Sequence, residues 1–275
     1  MTSLKDIFGK IDHVINSETR IRLLNIYKGL PITNEAAVTF VGDDEIHVSS
    51  GKNQISCLYH QHETFIQGID LPFTIRGEVI SLNLNKQDAV LKNLDIRPNN
   101  IGKRMNIRVE PSSTMMGVIQ FKDHPARLTV PIADISGFGV SVFLRDFLFP
   151  VKLFQPGNEI SFSIRLPETV VKKPVKLSTR QVTGSRGIII PIRKQGPPLK
   201  EGQLEINAWG KILGVSTEKI TNRYRVNIKL ILRDTDKAYV TNFIIQRQNE
   251  IIQDLRFLTD NLFGEKKMVS EEQAI

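Results

Sequence analysis

Phe73-Thr-Ile-Arg-Gly-Glu-Val-Ile80 alternates apolar and polar side chains along most of its length. This period of two puts one set of side chains on each face of a β-strand. The same rhythm extends outward on both sides. Ala37-Val-Thr-Phe40, Glu45-Ile-His-Val-Ser49, Gln54-Ile-Ser-Cys-Leu-Tyr59, Phe65-Ile-Gln67 and Asp88-Ala-Val-Leu91 read as further short strands. Between them lie turn residues such as Gly42-Asp-Asp44 and Ser50-Gly-Lys-Asn53. Several short strands at this spacing predict a small antiparallel barrel or sandwich over 31–97.

Upstream of residue 31 the pattern is helical. Leu4, Ile7, Phe8, Ile11, Val14 and Ile15 share one face at spacings of three and four. Asn16 or Ser17 then caps a second predicted helix carrying Ile21, Leu24, Tyr27 and Leu30, which Pro31 stops. Downstream, Arg97-Pro-Asn-Asn-Ile-Gly-Lys103 forms a turn-rich stretch, and the linker is set at 98–103. Strands are expected again at 105–109, 118–121, 127–132, 140–143, 159–164, 175–183, 187–191, 203–214 and 223–232. From Thr241 the period returns to helical: Ile244, Ile251, Leu255, Leu258 and Leu262 make one stripe, with Ile245 and Ile252 beside it. The fold class read here is mainly β: two small antiparallel barrels, an N-terminal helical segment over 1–30, and an amphipathic C-terminal helix. The second domain runs over 104–263 and is followed by a polar tail, 264–275.

Composition bounds the function. With 275 residues, 40% hydrophobic and 24% charged, the chain has the make-up of a two-domain globular protein without a run long enough to span a membrane. The N-terminus shows no secretory h-region, and the single cysteine, Cys57, suits a reducing cytoplasm. The net charge of +8 is uneven. Residues 1–103 hold 11 basic and 12 acidic side chains, a balance of −1; residues 104–275 hold 26 and 17, a balance of +9. An anionic partner is therefore expected on the second half.

Two motifs sit on that half. Arg104 and Arg108 form the chain's one Arg-x-x-x-Arg, and Asp134-Ile-Ser136-Gly-Phe-Gly139 is its one [Asp/Asn]-x-Ser-x-x-Gly. An arginine fork pairs bidentately with phosphate or with guanine O6 and N7, and its flat face stacks on a base. Asp134 suits a guanine N–H edge, since a carboxylate accepts strongly. Ser136 donates or accepts, and Gly139 either lets backbone approach closely or adopts a positive φ. Taken singly, each motif reads equally well as a solvated basic face or a strand-to-strand turn.

In this order, ahead of a strand-rich segment and the closing Phe243-Ile-Ile-Gln-Arg-Gln-Asn-Glu-Ile-Ile252, the pair resembles the ligand signature of the PilZ family of cyclic di-GMP receptors. The first half resembles the barrel that precedes PilZ in the YcgR-like flagellar-brake group. The resemblance implies that Arg104 and Arg108 clamp guanine and phosphate while Asp134, Ser136 and Gly139 line the barrel face. It also implies that ligand binding reorients the two barrels, with output through a protein partner such as a flagellar motor component, in motility or biofilm control. Many members carry another arginine directly before the motif; Lys103 stands there, keeping charge without the fork, and extends the binding set. The resemblance leaves an excess of about 30 residues around 168–202 over a compact PilZ domain unexplained. The rival readings are a PilZ-type DNA-binding regulator and a PilZ scaffold without ligand. Against the first stands the lack of a recognisable helix-turn-helix or zinc finger.

An enzyme is not expected. Ser136 lacks a Gly-x-Ser-x-Gly setting, and Gly137-Phe-Gly139 lacks the third glycine of a dinucleotide fingerprint. There is no phosphate loop of the Gly-x-x-x-x-Gly-Lys-Ser/Thr type. Cys57, His60, His62 and Glu63 sketch a metal site with both histidines on one strand face, but read better as a half-exposed strand. No cofactor or metal is expected beyond the ligand cyclic di-GMP.

Overall fold

The computed structural model describes residues 21–42, 44–68, 73–98, 107–122, 124–125, 127–144, 151–166, 204–218 and 223–264. The predicted helix at 4–15, Lys103 and Arg104, the strands at 175–183 and 187–191 and the tail beyond 264 lie outside them. The architecture is mainly β. The chain divides into two compact units, Met1–Met105 with Asn249–Ile275, and Asn106–Gln248.

The first unit is a closed antiparallel barrel. Its strands are β1 (Ile21–Tyr27), β2 (Leu30–Val41), β3 (Ile46–Ser50), β4 (Glu63–Gly68), β5 (Phe73–Asn83) and β6 (Asp88–Pro98), in the order β1-β2-β3-β6-β5-β4. Inward positions two apart along each strand, including Ile21 and Leu23, Ile46 and Val48, and Ala89 and Leu91, form its core. Helix α1 (Lys52–Gln61) adds Ile55 and Leu58 to that core.

Two sequence expectations are corrected in this unit. Ile21, Leu24, Tyr27 and Leu30 belong to strands, not to a helix. β1 turns into β2 through Lys28 and Gly29, whose φ angles of 48° and 87° make the tight turn that matches strand twist. β1 is buried on both faces near its middle, at Leu23 and Leu24, so its buried positions imitate a spacing of three. The second correction is Gln54-Ile-Ser-Cys-Leu-Tyr59, which is helical. Six residues satisfy either period, and packing decides between them. Gln54 and Gln61 of α1 reach Asn25 on β1: the Gln54 amide donates to Asn25 Oδ1 at 2.6 Å, and the Asn25 amide donates to Gln61 Oε1 at 2.8 Å. Thr64 Oγ1 donates to the same Asn25 oxygen at 2.8 Å, so the buried polar groups are partnered.

The second unit contains β7 (Arg108–Val109), β8 (Met116–Phe121), β9 (Arg127–Ser136), β10 (Gly139–Leu144), β11 (Glu159–Leu166), β12 (Leu204–Glu218) and β13 (Arg223–Ile231). Their order is β10-β13-β12-β11-β8-β9-β7, and pairing of β10 with β9 closes six of them into a second antiparallel barrel, with β7 against β9. Ile119, Ile135, Val142, Ile160, Phe162, Ile206, Val226 and Ile228 are buried in it.

Helix α2 (Asp234–Phe263) begins seven residues before the expected start, because its first turn carries few apolar residues. Asp234 and Asp236 favour that N-terminus electrostatically, and Arg233 Nε donates to Asp236 Oδ2 at 2.7 Å. Val240, Phe243 and Ile244 are buried, and Arg247 Nε donates to the Glu110 carbonyl at 2.7 Å within the second unit. From Asn249 the helix belongs with the first unit, whereas the sequence reading placed the whole helix in the second domain. There Thr259 Oγ1 lies 2.9 Å from Ser56 Oγ on α1, and Lys28 pairs with Asp254 at 2.7 Å.

Candidate ligand-binding face on the second barrel

The signature residues meet because β9 folds back on β10. Gly137 and Phe138 make the turn, so Ser136 pairs with Gly139 and Asp134 with Ser141. β7 runs on the other side of β9 and sets Arg108 opposite Ser136. Ile135 points into the core, while Asp134 and Ser136 lie on the opposite, outward face. Three adjacent strands thus bring Arg108, Asp134, Ser136 and Gly139 together. For Gly139, close approach is the reason: a Cβ would stand 2.3 Å from the Ile228 carbonyl oxygen on β13. The alternative, a positive φ, does not occur there.

The face is electrostatically dense. The Asp134 carboxylate is buried and receives Nη2 of Arg225 on Oδ2, while Nη1 of Arg108 stands 3.5 Å from Oδ1. Asp134 Oδ1 and Arg225 Nε are buried without a hydrogen-bond partner. Arg108 Nη1 also donates to Ser141 Oγ at 3.3 Å, and Ser141 Oγ donates to Asn227 Oδ1 at 2.8 Å. Ser136 Oγ donates to the Gly139 carbonyl at 3.0 Å. The guanidinium groups of Arg223 and Arg225 lie 5.8 and 5.9 Å from the ring centre of Phe143. A surface of arginine forks, an aromatic ring and a buried acceptor suits a planar, N–H-bearing, anionic molecule.

Sequence reasoning missed Ser141, Phe143, Arg223, Arg225 and Asn227. The signal for Arg223, Arg225 and Asn227 was present in Arg223-Tyr-Arg-Val-Asn-Ile-Lys229, whose alternate residues are basic or polar. Only the register β9–β10–β13 joins that row to Asp134. A cavity of about 820 Å³, lined among others by Thr114, Met116, Val130 and Phe154, shares Phe143 and Arg223 with this face.

The other sequence-derived cluster does not assemble as expected. Cys57 and His60 lie on α1, and His62 ends it with a left-handed φ of 57°, so the histidines share no strand face. Burial pushes the Cys57 thiol up to about 12. The His60 ring packs edge-on to Tyr27 at 5.2 Å. Among the described residues, no group of three or more His, Cys, Asp or Glu is placed to hold a metal, and no helix is long and apolar enough to cross a membrane.

The second unit is thus a six-stranded barrel, β8–β13, followed by a helix, with the Asp-x-Ser-x-x-Gly hairpin on its outer face. Solved structures similar to this chain include the inhibitor of motility MotI/DgrA of Bacillus subtilis, at 12% identity and a TM-score of 0.39, covering 84% of this chain and 96% of that one. YcgR of Escherichia coli in complex with c-di-GMP aligns at 10% identity and a TM-score of 0.39, over 94% and 96% of the two chains. The MrkH–c-di-GMP complex of K. pneumonia aligns at 11% identity and a TM-score of 0.34, over 95% and 97%. Likeness at such identity concerns the fold alone. Comparison with protein-family models and with curated protein sequences finds no match.

Proposed function

We propose that this protein is a cyclic di-GMP receptor whose ligand lies on the outward face of β9, β10 and β13. One observation carries the reading: Arg108, distant in sequence, shares one face with Asp134, Ser136 and Gly139, and Arg223 and Arg225 add positive charge beside them. In this reading Asp134 accepts the N1–H and N2–H edge of a guanine, and Ser136 supports the same base. Arg108 and Arg104 hold guanine and phosphate, with Lys103 as a further cation. Binding reorients the two barrels and is signalled through a protein partner, for which a flagellar motor component is the candidate.

Calorimetric titration tests the assignment. Cyclic di-GMP should bind, and cyclic di-AMP should bind far more weakly, because adenine lacks the N1–H donor and would leave the acceptors unpaired. Arg108→Ala should lose a charge-assisted contact of about 1.5–3 kcal/mol, roughly ten- to a hundredfold in affinity. Equal curves for both dinucleotides would reduce the face to a generic anion site. A sequence-specific DNA complex that survives physiological salt, without any dinucleotide binding, would instead favour a DNA-binding regulator, to which the pI of about 9.5 is suited.

A further inference from the structure

The outward face of β12 and β13 carries the chain's one tryptophan. Trp209 is 59% exposed and stands directly opposite Ile231, which is 68% exposed. Leu213, 55% exposed, follows on the outer side of β12 beyond Lys211. The inward residues of the same strands, Ala208, Ile212, Val226, Ile228 and Leu230, are buried, so the barrel core is complete without these three. A single exposed apolar side chain needs no explanation, but an adjacent tryptophan and isoleucine do.

The charges beside them are equally unusual. Lys211 is directly opposite Lys229 on paired strands, and neither ammonium has an ion-pair partner among the described residues. Like charges facing each other across a ladder destabilise it. Glu159 lies opposite Lys211 on β11, but its carboxylate pairs with Lys122 at 3.5 Å, so a carboxylate from outside would offset the repulsion between the two lysines.

We propose that this face docks another protein: Trp209 and Ile231 enter an apolar pocket, and Lys211 and Lys229 pair with carboxylates on the pocket's rim. Tryptophan at the centre with charge at the margin is the usual anatomy of a binding hot spot. A second copy of this chain is disfavoured, because it would bring lysines against lysines. An anionic membrane is disfavoured too, since recruitment by charge takes clusters of roughly 4–8 basic residues and this patch offers two.

Because Trp209 is the one tryptophan, its fluorescence reads this surface alone. The full chain, without nucleotide, is titrated with an acidic peptide presenting leucines among glutamates, and with the same peptide carrying lysines in place of glutamates. The acidic peptide should shift Trp209 emission to shorter wavelength and the basic one should not. Lys211→Glu combined with Lys229→Glu should weaken the acidic peptide at least about tenfold and transfer binding to the basic one. Ile231→Ser should weaken it with the fold intact by circular dichroism. No shift with the acidic peptide, or equal shifts with both peptides, overturns the proposal. So does a shift with phosphatidylserine vesicles alone, or one that follows protein concentration and a dimer in sedimentation. Since no dinucleotide is present, failure of cyclic di-GMP to bind leaves this result standing on its own.

Discussion

Asp134, with 4% of its side chain exposed, has two guanidinium groups, Arg225 and Arg108, against its carboxylate. Removing one partner strands the carboxylate, so Arg225→Ala should lower stability by about 1–3 kcal/mol in urea denaturation. Replacing Asp134 by Asn in the same chain should restore part of the loss, giving a measurable coupling. Simple additivity of the two changes would show that the pair does not interact. Cys57 gives a pH signature of its own. Its thiol, ordinarily near 9.0, is pushed to about 12 by burial. The folded state therefore resists ionisation that the unfolded state undergoes, and the corresponding stability is present below pH 9.0 and is lost as pH rises toward about 12. A Cys57→Ala chain should lack that component of the alkaline loss in denaturation curves measured across this range.

The β9–β10 hairpin shows how one element fixes a site. Gly139 sits where any side chain would collide with the β13 backbone, whereas a Cβ at Gly137 meets nothing within 4 Å. Gly139→Ala should therefore cost about 1–3 kcal/mol, seen as a lowered melting temperature without ligand, while Gly137→Ala should leave melting nearly unchanged. Equal melting of the two variants would mean that β10 and β13 can separate freely. The same closeness gives the proposed ligand face its order: with β10 hard against β13, Ser141 meets Asn227, and Arg225 reaches Asp134 across the intervening strand.

Across the whole molecule, charge and chain order bear on the proposed signal. The balance of +9 falls on residues 104–275, which include every residue of the proposed ligand face except Lys103. Arg104 and Arg108 follow directly on the sequence that joins the two barrels, so engaging them with ligand would tie the junction to the second barrel. Cyclic di-GMP should then change the small-angle scattering profile and protect the chain from protease between Pro98 and Lys103. Tight binding with both measurements unchanged would remove interdomain movement from the proposed function and leave a static receptor.

Alternation along Phe73–Ile80 and its neighbours was enough to predict two antiparallel β domains, since a strand with one buried face must repeat every two residues. The Arg-x-x-x-Arg and Asp-x-Ser-x-x-Gly motifs marked Arg108, Asp134, Ser136 and Gly139, because turn chemistry and charge are local. The strand at Ile21–Tyr27 and the helix at Lys52–Gln61 were not legible, since a strand buried on both faces and a short amphipathic helix share their spacings. Nor were Arg225, Ser141 and Phe143: they gain meaning only through the register of β10 with β9 and β13, 91 residues separating Arg225 from Asp134. Local periodicity carries element type; barrel closure alone carries which elements become neighbours, because it satisfies the edges of strands far apart in the chain.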